Sequence, residues 1–220
     1  MLVIEFLLKF RRSLLILYAM AMTVACLYLQ DLWFFIANIL FLLVVALFVR
    51  NMQLSTVANK DLLTGLGNKN SLHAVLQREI SRVDRKGGFL IFLFIDIDNF
   101  KQINDTRGHK TGDAVLVEVA RRLKEQKRKY DALIRYGGDE FCVVCSQVQR
   151  EEDAVRIRDK LNDVLHFCHR SECGEVLVQA SFGMATYPSD TEDFQQLIVL
   201  ADGRMYEQKE QRKLSQMVNA

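Results

Sequence analysis

Two neighbouring runs of 18 residues, 13–30 and 32–49, contain no charged side chain, and no other feature restricts the fold as strongly. As a helix each run reaches roughly 27 Å, enough for a bilayer's hydrocarbon core. Together they are too long for one crossing, and Gln30-Asp31 sits between them. The expectation is a transmembrane helical hairpin over residues 1–50, with the lipid bilayer as partner. Lys9, Arg11, Arg12 and Arg50 flank its outer ends, which the positive-inside rule assigns to the cytoplasm. Tyr28 and Trp33 bracket the turn, where interfacial aromatics belong. A cleaved signal peptide made from the first run would leave the second to span. A buried soluble hairpin conflicts with two helices that are apolar all round. Residues 1–8, apolar apart from Glu5, can lie along the inner surface.

Formal net charge is +2, and residues 51–220 balance basic against acidic side chains. Such balance argues against a nucleic-acid partner. The five cysteines, Cys26, Cys142, Cys145, Cys168 and Cys173, are an odd count that suggests no disulfide framework. Cys142 and Cys145 have C-x-x-C spacing but lie in an apolar run that reads as a strand. Residues three apart on a strand point to opposite faces, so core packing is preferred over metal or redox chemistry.

Past the hairpin, residues 51–60 read as a short helical stalk, and 61–220 as one domain. Residues 61–68 are turn-rich and 71–83 have helical spacing. Residues 89–97 are apolar on both alternating faces, the mark of a buried central strand. A short helix over 99–106 and an amphipathic one over 112–126 are expected. Residues 132–135 and 141–147 read as paired strands. Helical spacing over 151–168, a strand over 176–186 and a closing helix over 193–213 complete an α/β (α+β) order, a mixed central sheet flanked by helices.

Two places concentrate carboxylates. The apolar strand ends in Asp96-Ile97-Asp98, and the hairpin tip holds Asp139 and Glu140 beside Gly137 and Gly138. Hard divalent cations take such oxygen ligands and share them with substrate phosphates. Glycines let a phosphate approach the backbone closely. The combination suggests metal-assisted phosphoryl transfer. Taken singly, each part has a plainer reading: a solvated turn, an Asp98 cap on the next helix, a hairpin Gly-Gly.

The sequence resembles the GGDEF family of diguanylate cyclases. Gly137-Gly138-Asp139-Glu140-Phe141 is that family's signature, preceded by Arg135-Tyr136. In order, the chain also carries Asp61-x-Leu63-Thr64-Gly65-Leu66-x-Asn68, Asp96-Ile97-Asp98-x-Phe100-Lys101-x-Ile103-Asn104-Asp105 and Gly108-His109-x-x-Gly112-Asp113. Ser181-Phe182-Gly183-Met184-Ala185 and Ala201-Asp202-x-x-Met205-Tyr206 follow. The likeness covers about residues 59–213. It implies a nucleotidyl-cyclase or palm-like fold that condenses two GTP into cyclic di-GMP and two pyrophosphates. A symmetric product built from two GTP calls for a homodimer, and the hairpin with its basic outer ends adds the expectation of a bacterial inner membrane, with both termini and the catalytic domain cytosolic. The alternative is a silent module that binds GTP or cyclic di-GMP.

The resemblance also implies roles. Two Mg²⁺ or Mn²⁺ ions would be held by Asp96, the Ile97 carbonyl, Asp139 and Glu140. Asp139 would activate the 3′-hydroxyl of GTP, and Lys101 would stabilise phosphate charge. Asn104 and Asp113 would read guanine, with plainer roles as helix-end amide and N-cap. His109 would lie near the base or ribose; otherwise it is a surface histidine. Gly137 and Gly138 would cradle phosphate. Lys209 would contact it, with Lys213 standing where the family often has the arginine of a Gly-Arg pair. Arg128 and Asp131 match an inhibitory product site, or else form a charged helix end; Arg158 is a candidate for the partner's side of it.

Overall fold

This computed structural model describes residues 13–25, 32–171 and 174–218. The chain divides into two compact units, Met1–Ala58 and Asn59–Ala220. In the first, helix α1 covers Ser13–Ala25 and α2 covers Leu32–Ala58. The window Trp33–Arg50 of α2 has a mean hydropathy of 2.4, and among the described residues α2 alone is long and apolar enough to cross a membrane. The rings of Tyr18 and Phe41 meet with centroids 5.4 Å apart, so α1 and α2 touch. The expected first span is described only as far as Ala25. Tyr28, the Gln30-Asp31 turn, Lys9, Arg11, Arg12, residues 1–8, Cys26 and Cys173 lie outside the described residues.

The second unit begins with β1 (Gly67–Asn68), α3 (Lys69–Lys86) and β2 (Phe89–Ile97). Asn68 caps α3, its side chain accepting the Ser71 N–H at 3.3 Å. Next come α4 (Phe100–Arg107), α5 (His109–Gln126), β3 (Ala132–Gly137) and β4 (Glu140–Val148). Then follow α6 (Asp153–Val164), β5 (Phe167–Ser171), β6 (Gly174–Val178), β7 (Ala180–Tyr187) and α7 (Phe194–Val218). The main sheet has the order β1-β3-β4-β2-β7, and β5-β6 form a separate two-stranded sheet. Strand β2 runs antiparallel to both β4 and β7, whereas β1 and β3 are parallel.

The apolar run of β2 serves two cores at once. Ile91, Leu93, Ile95 and Ile97 enter one cluster with Val115, Val119 and Leu161 from α5 and α6. Leu90, Phe92 and Phe94 enter the other with Leu72, Leu76, Leu197 and Met205 from α3 and α7. Each such side chain contributes about 1.5–3 kcal/mol on burial, so β2 is rigid as well as central. Cys142 and Cys145 fall in opposite clusters. Both are buried, and burial pushes both thiols well up, which fits core packing.

Two sequence expectations are corrected. The helix expected over 151–168 ends at Val164, and Phe167 begins a strand whose exposure alternates along β5. The strand expected over 176–186 is two strands, β6 and β7, in different sheets, interrupted at Gln179. A β5-β6 hairpin pairs Phe167 with Val178 and Ser171 with Gly174.

Candidate active site

The carboxylates are assembled by strand register. Asp96 on β2 stands directly opposite Glu140 on β4, and the Ile97 N–H donates to the Asp139 carbonyl at 3.2 Å. The end of the central strand and the signature hairpin therefore form one acidic edge. Asp139, Glu140, Asp96 and the Ile97 main chain come together as the sequence suggested. Gly138 has φ +42, and a Cβ there would meet nothing within 4 Å, so the tip lies under open space.

Arg135 shapes this tip from β3. Its Nε and Nη2 donate to the Gly138 carbonyl at 3.0 and 2.8 Å, while Nη1 reaches both oxygens of Asp61 at 3.2 Å. Lys69 lies over the Tyr136 ring at 4.4 Å. Neither contact was legible as a pairing, although each residue lies in a quoted motif or beside one.

The C-terminal helix closes the site because it packs flat on β7. A Cβ at Gly183 would fall 1.7 Å from the Ala201 carbonyl, so glycine alone permits this approach. Packed so, α7 brings the Lys209 ammonium to Asp96 Oδ1 at 2.5 Å. Lys213 pairs with Glu210 at 2.8 Å and is close enough for Asp96 to help raise its pKa, after the larger effect of Glu210.

Electrostatically the edge is crowded. Burial pushes the Asp96 carboxyl up, the Lys209 hydrogen bond opposes this, and Asp139 and Asp98 add repulsion; the net direction is upward. Glu140 is raised by burial and then by Asp96, Asp139 and Asp202. Asp202, on α7, stands in one of the quoted motifs, where no role was expected of it. Among the described residues no three carboxylate, imidazole or thiol groups converge as a ready-made metal cage. A repelling carboxylate set already drawn to a lysine cation nonetheless fits a divalent ion that takes its other ligands from phosphate and water.

The remaining candidates occupy two further places. Lys101 and Asn104 lie on α4, His109 and Asp113 on α5. A Cβ at Gly112 would fall 1.9 Å from Asn104 Oδ1, so Gly112 is what lets the Asn104 amide reach α5. Asp113 is not an N-cap, since Gly108 holds that position, and it is exposed with Lys101 and His109. Asp98 does not cap α4 either. The cap is Asn99, with no side-chain cap bond.

Arg128 and Asp131 form a separate corner between α5 and β3. Asp131 Oδ2 accepts the Arg128 N–H at 2.8 Å. Oδ1 is buried near Cys145 without a conventional hydrogen-bond partner, and burial raises this carboxyl. Arg158 is bonded to its neighbour Asp159 at 2.8 Å.

The family profile described as diguanylate cyclase, GGDEF domain, matches residues 58–215. Diguanylate cyclase DosC of Escherichia coli K12 is 36% identical over 149 residues, covering 66% of this chain and 32% of its own length. Diguanylate cyclase TpbB of Pseudomonas aeruginosa is 36% identical over 164 residues, or 74% and 38%. The chain thus spans well under half the length of these curated relatives. Among solved structures, a sensory box/GGDEF family protein from Caulobacter crescentus superposes with a TM-score of 0.67 at 37% identity, covering 70% of this chain and 99% of that one. The coiled coil and GGDEF domain of DgcB from Caulobacter crescentus, in complex with c-di-GMP, matches with a TM-score of 0.67 at 26% identity, covering 76% and 88%.

Proposed function

The chain belongs to the GGDEF-domain family of diguanylate cyclases, and from that premise we propose that it condenses two GTP molecules into cyclic di-GMP. The observation carrying the proposal is the strand-end edge where Asp96 faces Glu140 and Asp139 hangs from the Ile97 N–H. All the acidic positions that the chemistry requires are filled, and they lie side by side.

In this reading Asp139 takes the proton from a GTP 3′-hydroxyl. The oxygen attacks the α-phosphorus of the second GTP, a P–O bond forms, and the bond to pyrophosphate breaks. A second, symmetric step closes the ring and releases the second pyrophosphate. Asp96, the Ile97 carbonyl, Asp139 and Glu140 would hold Mg²⁺ or Mn²⁺, two ions per site, which offset charge on the phosphates. Lys209 and Lys213 supply further positive charge from α7, and Lys101 from α4. The open tip at Gly137 and Gly138 leaves room for the phosphate chain. Asn104 and Asp113 have the donors and acceptors for a guanine edge, and His109 lies beside them in sequence.

Each domain presents one GTP, so the working unit is a homodimer. The apolar window of α2 supports membrane anchoring, and the two-span hairpin in an inner membrane, with both termini cytosolic, extends that reading from the uncharged run 13–30 and the basic residues at the outer ends. Arg128 and Asp131 form the proposed product site.

The test is to incubate the purified full-length chain, in detergent or nanodiscs, with GTP and Mg²⁺ or Mn²⁺ and identify products by mass spectrometry. Cyclic di-GMP and pyrophosphate in a one-to-two ratio are expected. GTP binding without product would instead establish the silent binding module.

A further inference from the structure

Lys209 is not the sole cation that α7 delivers to the end of β2. Arg212, three residues on and hence on the same helix face, donates from Nη1 to Asp98 Oδ2 at 2.7 Å and to the Ala180 carbonyl at 2.6 Å. Its Nη2 reaches Asn162 Oδ1 at 3.2 Å. Asp98 Oδ1 accepts from the Ser181 hydroxyl at 2.7 Å, and Ser181 is fully buried. Both oxygens of Asp98 are therefore committed. One guanidinium ties α7 to the end of β2, to β7 and to α6.

Asp98 would otherwise be a competitor. It lies in the turn just after β2 and is bonded to Ser181, the residue paired with Asp96 across the sheet, and its charge already repels that of Asp96. A carboxylate in that place can bind the same cation with different geometry. Resting on the cyclase reading above, we infer that Arg212 is a positioning residue: it keeps Asp98 out of the metal-binding set, leaving Asp96 as the strand-end ligand, and pins the helix that carries Lys209.

The guanidinium suits this task because its planar fork serves several acceptors at once, whereas a lysine offers a single point of charge. Removing it has an unusual consequence. The freed Asp98 adds negative charge beside Asp96, so a divalent cation binds more tightly. The cation and Lys209 are then wrongly placed, so turnover slows. General loosening of the fold would weaken both together.

The experiment uses the full-length chain in nanodiscs, with Mn²⁺ binding measured by electron paramagnetic resonance without GTP and turnover measured separately. Arg212→Gln should bind Mn²⁺ roughly threefold to thirtyfold more tightly while kcat falls about tenfold. Adding Asp98→Asn should return the affinity to within about twofold of wild type, the non-additivity expected of two residues acting as a pair. Arg212→Lys, which keeps the charge, should leave Mn²⁺ affinity nearly unchanged with a smaller loss of kcat. Unchanged or weakened Mn²⁺ binding in Arg212→Gln, or a gain that survives Asp98→Asn, overturns the inference. If Arg212→Gln does not fold, Asp98→Asn alone decides. It leaves the Arg212 charge uncompensated and should weaken Mn²⁺ binding by about threefold, and no change overturns the idea. A wild-type chain that binds Mn²⁺ but makes no cyclic di-GMP refutes the cyclase reading, and the Mn²⁺ arm still decides on Arg212.

Discussion

Arg135 and Asp61 are 74 positions apart, yet two hydrogen bonds of 3.2 Å join them. The same guanidinium holds the Gly138 carbonyl at the signature tip. The turn that opens the second unit is thus connected to the acidic edge through one side chain. Thr64 adds to this turn, donating to Asp61 Oδ1 from its N–H at 2.8 Å and its hydroxyl at 2.6 Å.

That connection predicts a pH effect. Burial pushes the Asp61 carboxyl up, but the Thr64 hydrogen bonds and Arg135 outweigh it, so its pKa is lowered on folding. A carboxyl depressed by folding stabilises the protein above its unfolded pKa and loses that contribution as pH falls through the folded one. Urea unfolding between about pH 3 and pH 6 should therefore show wild-type stability falling on the acid side. Asp61→Asn should be less stable near neutral pH and show a shallower acid-side loss. Equal slopes in the two proteins would remove Asp61 from this account.

Removing Arg135 should cost more than its charge, because the Gly138 carbonyl and Asp61 lose a shared donor together. Arg135→Ala should destabilise the domain by about 1–3 kcal/mol. Turnover should fall by roughly tenfold or more through a misplaced tip. Chemical denaturation and initial rates of GTP consumption check the two parts separately.

The acidic edge should trade stability for chemistry. Burial raises both Asp96 and Glu140, with Asp139 and Asp98 adding to it at Asp96 and Asp96, Asp139 and Asp202 at Glu140, so their ionised forms oppose folding once pH rises above the ordinary carboxylate range. Glu140→Ala or Asp139→Ala should lower cyclic di-GMP synthesis by at least about 10² to 10⁴. Without divalent cation, Glu140→Ala should unfold no earlier than wild type near neutral pH. Near-normal turnover in both variants would sink the assigned mechanism, and marked destabilisation of Glu140→Ala would sink the electrostatic account.

Much of this site was legible from local pattern alone. The run from Phe89 to Ile97 reads as a buried strand because both alternating faces are apolar, and β2 has those bounds. Its end and the hairpin tip name Asp96, Asp139 and Glu140 directly. The β5-β6 hairpin was not legible: His166 to Arg170 carries mixed polar residues that fit a helix end equally well. Its Phe167–Val178 pairing is a contact between positions that no local period reveals. Arg212 escaped for a similar reason. In the sequence it is one more charge in Lys209-Glu210-Gln211-Arg212-Lys213, and only the packing of α7 against Gly183 turns it toward Asp98.

Topology has a direct test. A C-terminal reporter that works only in the cytosol should be active, and a periplasmic reporter at the same place should be silent. The reverse pattern would separate the acidic edge from its GTP supply and overturn the proposed orientation.

The product site calls for unequal treatment of its two residues. Asp131 is buried and staples the turn by accepting the Arg128 N–H, so Asp131→Ala removes a structural bond as well as a potential ligand. Its substitution should cost about 1 kcal/mol or more of stability, and altered kinetics would then have two causes. The Arg128 bond in the turn comes from the backbone, so Arg128→Ala leaves the staple in place and is the cleaner probe. A guanidinium can grip a phosphate or a guanine edge by paired hydrogen bonds, and Arg128 lies only a few residues before β3, the strand that leads to the signature tip. With GTP in excess, the wild-type time course should slow as cyclic di-GMP accumulates, while Arg128→Ala should keep its initial rate and continue. Calorimetry should show cyclic di-GMP binding weakened by tenfold or more. Superimposable time courses with equal affinity would leave Arg128 and Asp131 as a turn and its staple, with no part in regulation.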